Sequence, residues 1–196
     1  MKKGWIVLLA VLGVVVFAGL FFMGAYNSLV QMDEQVNQSW AQVENVYQRR
    51  LDLIPNLVET VKGYAAHEKS TFIAVTEARS RAAGTLSPDV ITDPQKFAAF
   101  QESQAALSSA LSRLLVIVEK YPDLKANENF LSLQAQLEGT ENRIAVERGR
   151  FNEAAQLFNT RFRQFPINFV GTMFGFKLKE YFKSDVEAKA VPKVQF

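Results

Sequence analysis

Few side chains in this sequence are of the types that do chemistry, and each falls short of a recognisable set. The chain has one histidine, His67, followed by Glu68. A helical zinc site of the His-Glu-x-x-His type needs a second imidazole one turn on, where Thr71 stands. Glu138 and Glu141, three residues apart, share one helical face, as a metal or an acid–base pair requires. Di-iron bundles add a histidine at the third residue after glutamate, and none exists here. Arg49, Arg50 and Asp52 offer a grip for an anionic ligand, with a solvated face or a satisfied helix–helix pair as the plainer reading. One histidine without local support does not assemble a Ser-His-Asp set, and no glycine-rich phosphate loop is present. Zero cysteines remove thiol nucleophiles, disulfides, cysteine-ligated zinc and iron–sulfur clusters. The expectation is a protein that is not an enzyme, with no cofactor, no resident metal and no small-molecule substrate.

What would have to position such groups is legible further out. At 196 residues with 48% hydrophobic and 21% charged side chains, the chain has the composition of one globular domain plus an accessory segment. Its 22 basic and 20 acidic residues give a formal charge of +2, too small a field to predict a nucleic-acid partner. Gly4 to Ala25 carries no charge. As a helix this run covers about 33 Å, enough to cross the hydrocarbon of a bilayer. A cleaved signal peptide has a shorter apolar core and a small-x-small site, which Met23 before Ala25 does not supply. The run is therefore expected to be a retained anchor over 4–26. Leu8, Leu12, Val16 and Leu20 lie along it, Trp5 stands in one headgroup zone, and Phe22 and Tyr26 stand in the other. Lys2 and Lys3 precede the span, so residues 1–3 are expected to stay in the cytoplasm and the rest to lie outside it.

Beyond the anchor, apolar residues recur at Leu29, Met32, Val36, Trp40, Val43, Tyr47, Leu51, Ile54, Val58, Val61 and Ala65, the 3.6-residue period of one helix with a buried stripe. That phase passes through Pro55 without a break, which predicts a bent but continuous helix. Lys62-Gly63 reads as its end, with the glycine free to take positive φ. A second helix is expected over His67 to Ala83, and Gly84 to Asp93 is the long loop. Asp93-Pro94 starts a third helix whose stripe Phe97, Phe100, Gln104, Leu107, Leu111, Leu114, Val118 and Tyr121 has heptad spacing. Tyr121-Pro122 ends it, and a fourth runs from about Asn127 to Gln164. Gly139 and Gly149 within it suggest close backbone approach to a neighbour. The expected fold is all-α: an N-terminal transmembrane helix followed by an antiparallel four-helix bundle over 27–165.

The stretch 166–185 changes character, with Phe169, Phe174, Phe176 and Phe182 interleaved with Lys177, Lys179 and Lys183. Such a segment can lie on an anionic membrane, cover the bundle as a short amphipathic helix, or dock on another copy. Residues 186–196 read as a flexible tail.

The blocks RRLDLIPNLVETVKGYAAHE, VTEAR and YPDLKANENFLSLQAQLEGTENRI, with PKVQF at the end, resemble the LemA family of bacterial membrane proteins. The positions that carry the resemblance include Trp40, Arg50, Asp52, Pro55, Asn56, Gly63, Tyr64, His67, Glu68, Arg79, Tyr121, Pro122, Glu138, Glu141, Arg148, Asn152 and Asn159. One departure is Phe151 before Asn152, where many relatives have tyrosine. The resemblance implies a single-pass anchor in the bacterial inner or plasma membrane and a four-helix bundle, and it supplies no reaction. Magnetosome-associated members imply a part in membrane organisation. The expected function is a membrane-anchored scaffold acting through a protein partner or self-association beside the lipid bilayer. The alternatives are a lipid-surface or membrane-remodelling module, and a ligand or metal sensor using Arg49, Arg50, His67, Glu138 and Glu141.

Overall fold

The structure is a computed structural model, and it describes residues 2–183. The expected tail over 186–196 lies outside the described residues. Everything regular within them is helical, and no strand occurs among them. Helix α1 spans Lys2–Lys62, α2 Lys69–Gly84, α3 Pro94–Val118, α4 Pro122–Lys125, α5 Glu128–Arg163 and α6 Ile167–Met173.

Helix α1 is one uninterrupted rod of about 90 Å. Its first third is an apolar helix long enough to cross a membrane and has no buried residue in its most apolar stretch. From Leu29 onward the predicted stripe turns inward: Val36, Val43, Leu51, Ile54 and Val61 are all essentially inaccessible. Pro55 lies inside the helix, as the unbroken phase required. Asp93 caps α3 by accepting from the backbone N–H groups of Gln95 at 2.9 Å and Lys96 at 3.2 Å. Asn127 caps α5 in the same way through the N–H of Phe130 at 3.0 Å.

Helix α5 lies along α1, and α2 along α3. Rungs between α1 and α5 join Arg50 to Glu141 and Arg49 to Gln136, and just beyond their ends Tyr64 meets Asn127. The core forms two apolar clusters. One gathers Leu57, Val61, Phe72, Leu107, Leu114 and Phe130, far from the apolar end of α1. The other gathers Trp40, Phe97, Phe100, Phe151, Phe158 and Phe182, nearer to it.

Four local expectations change. Gly63 has no positive φ; α1 ends by tightening, with the N–H groups of Tyr64 and Ala65 both donating to the Val61 carbonyl. Helix α2 begins at Lys69, so His67 sits in the turn before it. The long loop contains a 3-10 turn, Pro88–Thr92, that buries Val90 and Ile91. Gly139 and Gly149 are exposed, and a Cβ on either meets nothing within 4 Å, so no neighbour approaches them. Gly139→Ala and Gly149→Ala are therefore each expected to stabilise the fold by about 0.5–1 kcal/mol, read as a higher urea midpoint with an unchanged slope.

Candidate functional site

Arg50 is the one buried residue that carries a charge on the shared flank of α1, α3 and α5, and it is 2% exposed. Its Nη1 donates to Glu141 Oε1 at 2.5 Å and to Ser108 Oγ at 3.2 Å, while Nη2 donates to the Gln104 amide oxygen. Its guanidinium carbon lies 5.1 Å from the centre of the Tyr47 ring. Gln104 in turn leans on the Ala82 carbonyl of α2. One side chain thus touches α1, α3 and α5 directly and reaches α2 through its partner. These residues fall in the gap between the two apolar clusters: Tyr47 and Phe100 belong to one, Leu51 and Leu107 to the other. A polar layer of this kind penalises any slip in register, because every shifted arrangement strands a buried donor.

Beside this layer a cleft of about 520 Å³ opens between α1, α3 and α5, lined by Tyr47, Arg50, Gln101, Glu102, Ser108, Glu141 and Arg148. Burial pushes the Tyr47 phenol up, against the pull of Arg148 and Arg50, so it stays neutral. Arg148 stacks 4.3 Å above the Phe182 ring. Its two carboxylates, Glu102 and Glu141, and its two arginines, Arg50 and Arg148, balance each other in formal charge.

The other predicted positions disperse. Glu138 is exposed and accepts from Gln134 at 3.0 Å, one turn away from Glu141 and its arginine, so the two carboxylates do not converge. His67 is exposed, and Glu68 is half-buried at the α2 start without a side-chain capping bond. Asp52 accepts from Gln48 at 2.7 Å on the surface, and Asn56 is exposed. Tyr121 and Pro122 form the corner into α4. No group of three or more metal-ligating residues occurs among the described residues.

Two motif residues explain each other. Proline at 55 has no N–H to give the carbonyl four residues earlier, which is that of Leu51. Arg79 of α2 donates its Nε to that carbonyl at 2.8 Å, replacing the missing helical bond with an interhelical one. Arg79→Leu is therefore expected to cost about 1–3 kcal/mol by stranding a part-buried carbonyl. In a Pro55→Ala background the restored N–H should shrink that loss, and a double-mutant cycle in denaturant reads the difference.

Of the described residues in the 166–185 stretch, only Ile167–Met173 form the short helix that the sequence allowed. From Phe174 to Lys183 the chain has no regular structure, and part of it is bolted to the bundle. Asn159 donates to the Lys179 carbonyl and accepts from its N–H, both at 2.8 Å. Asn152 does the same for Phe182 at 2.8 and 2.9 Å. The two asparagines are seven residues apart, about 10.5 Å of helix rise, which three residues span only when nearly extended. Phe182 enters the ring of Trp40, Phe97, Phe100 and Phe151, with centroids 5.0 to 6.3 Å away. Lys179, which sequence reasoning placed on a docking or lipid surface, is 6% exposed and its Nζ meets Asp33 of α1 at 2.7 Å. Phe182 and half-buried Phe176 likewise leave that surface, because the aromatic cluster gives them more apolar contact than water does. Asn152 and Asn159 share a helical face at the seven-residue spacing, a signal the sequence held; the Asp33–Lys179 pair left none.

Phe169, Phe174, Lys177 and Lys183 remain exposed. Helix α6 rests on α1 at Leu29 through Gly171, where an added Cβ would lie 2.6 Å from the Phe162 ring and 3.4 Å from Leu29. Phe174 and Phe176 reach back to Tyr26, at 4.7 and 6.0 Å between ring centres.

With this geometry in view, comparison with known proteins adds a family. A model of the LemA family matches residues 39–196. Magnetosome protein MamQ 2 of Paramagnetospirillum magneticum is 29% identical, over 91% of this chain and 71% of that protein. MamQ of Magnetospirillum gryphiswaldense is 29% identical over 89% and 70%. Protein LemA of Metamycoplasma hominis is 23% identical over 86% and 73%. The match takes in the Arg50 layer, the Pro55–Arg79 pair and the asparagine clamps alike, and this chain belongs to the LemA family.

Proposed function

We propose that the chain is a non-enzymatic, membrane-anchored scaffold, single-pass through α1, whose remaining helices form an antiparallel four-helix bundle that works by contact with partner proteins or further copies of itself. The pairing of α1 with α5 supports the antiparallel arrangement: Arg49 and Arg50 meet Gln136 and Glu141 within the two helices, while Tyr64, just past the end of α1, meets Asn127, just before the start of α5. The observation that carries the reading is the fate of the polar groups. Arg50, Gln104, Arg79, Asn152, Asn159 and Lys179 are spent on joining helices and the C-terminal segment, which is what a platform needs and a reaction does not.

Lys2 and Lys3 favour a cytoplasmic N-terminus, with the bundle on the other side of a bacterial cell membrane. Relatives named as magnetosome proteins favour work within an assembled structure over work on a dissolved substrate. Large apolar side chains exposed beyond the anchor, such as Ile73 on α2, Val116 on α3 and Leu131 on α5, supply contact surface. Lysine-directed crosslinking in native membranes, followed by mass spectrometry, tests the reading. A reproducible partner or a second copy at fixed lysines is expected; a chain that stays monomeric and without neighbours contradicts it.

A further inference from the structure

We propose that α6 and its flanks are a lipid seat: Phe165, Phe169, Met173 and Phe174 enter the headgroup layer of the same bilayer that α1 spans, fixing the bundle's height and tilt on the membrane. This rests on the reading of α1 as a spanning anchor and adds a second, separate contact with lipid.

Height comes first. The strongly apolar run of α1 ends at Ala25, before the polar Asn27 and Ser28, and at 1.5 Å per residue it accounts for the whole hydrocarbon thickness. Leu29 is four residues further, about 6 Å along the axis, and each headgroup layer is roughly 5–8 Å deep. Helix α6 is packed against α1 at that level, through Gly171 on Leu29 and Phe174 on Tyr26. Covalent geometry and close packing therefore hold α6 at the membrane surface.

Exposure comes second. The face of α6 turned to the bundle is Ile167, Val170 and Gly171, all buried. The other side leaves Phe165 at 88%, Phe169 at 63%, Met173 at 57% and Phe174 at 53% exposed. Phe169 and Met173 are four residues apart on α6 and share one helical face, with exposed Phe165 in the turn just before the helix and Phe174 at its end. In water such a patch is a liability; at the level of the headgroups it is an anchor.

Charge comes third. From Phe165 to Phe176 the chain has no charged residue. Arg161 and Arg163 stand before it and exposed Lys177 after it. An aromatic stretch bracketed by cations matches an interface between hydrocarbon and anionic headgroups. Lipid is favoured over a protein partner because the patch is continuous with the span and shares its depth, so the bilayer occupies that space already.

The cysteine-free sequence permits a direct test on the full-length chain in phosphatidylcholine–phosphatidylglycerol vesicles. Single cysteines at Val14, Met173 and Ser112, each an exposed position, carry a nitroxide, and its collisions with oxygen and with a water-soluble nickel chelate report depth. The expected order is Val14 deep in hydrocarbon, Met173 at headgroup depth with an oxygen-to-nickel ratio several-fold above that of Ser112, and Ser112 aqueous. Adding Phe169→Asp should move the Met173 label toward the Ser112 value while Val14 stays deep. A Met173 label as aqueous as Ser112, with Val14 deep, overturns the lipid seat and leaves the anchor standing. A Met173 label shielded from both reagents, or broadened by a second label, assigns the face to another copy and also overturns it. An aqueous Val14 removes the anchor and this inference together.

Discussion

Glu141→Leu is expected to lower the unfolding free energy by about 3 kcal/mol, more than removal of the arginine it faces. The asymmetry follows from burial. Arg50 is almost wholly enclosed, whereas the Glu141 side chain is 49% exposed. Without Glu141 a guanidinium stays buried with only neutral acceptors, Gln104 and Ser108. Without Arg50, as in Arg50→Met, the carboxylate can be hydrated, and the main loss is the stranded Gln104 amide, about 1–2 kcal/mol. Removing all three polar groups together, as Arg50→Met, Gln104→Leu and Glu141→Leu, should recover most of either loss, because an apolar layer of similar volume leaves nothing unpaired. Urea titration of the four proteins in detergent checks the ordering. Equal losses for Glu141→Leu and Arg50→Met, or a triple variant worse than both, would show that the layer is not held by paired polar groups.

The second large effect is expected at Asn159. Replacing it with leucine removes both bonds to the Lys179 backbone and the bond to the Tyr181 hydroxyl, and it leaves a buried N–H and C=O without partners. The cost should be about 2–4 kcal/mol, with the segment from Phe176 to Lys183 detaching before the helices unfold. Hydrogen exchange resolves this: the Lys179, Glu180 and Phe182 amides should lose protection while α5 keeps it. Asn152→Leu should act in the same direction and less strongly, since the Phe182 ring still has Trp40, Phe97 and Phe151 to hold it. Unchanged protection at Lys179 in Asn159→Leu would mean that the aromatic contacts alone dock the segment.

The helices themselves were readable because their signal is local. Leu29 to Ala65 return once per turn, and that period survives Pro55, so an unbroken helix followed from spacing alone. Caps such as Asp93 before Pro94 are equally local. Contacts across the fold are another matter. Arg50 meets partners 54 and 91 residues away, and nothing in RRLD distinguishes a buried arginine from a solvated one. The Arg79 bond to Leu51 can be deduced in retrospect from proline's missing N–H, yet the sequence does not say which donor arrives. The composition of the segment 166–185 left its place open: lysine and phenylalanine in alternation describe a strip on lipid and a strip on an aromatic core equally well. The fold divides it, with Phe182 and Lys179 inside and Phe169 and Phe174 outside. Glycines misled for a related reason, since Gly139 and Gly149 cost the helix without gaining a neighbour.

The claim that this molecule works through its shape and its contacts, with its polar residues serving architecture, is tested most directly by crosslinking the Arg50→Met, Gln104→Leu, Glu141→Leu protein in native membranes beside the unaltered chain. If architecture is the function, the folded triple variant keeps the same crosslinked neighbours at the same lysines. A triple variant that is folded and anchored yet has lost those neighbours would contradict the account and return the Arg50 cleft to consideration as a site of recognition or chemistry.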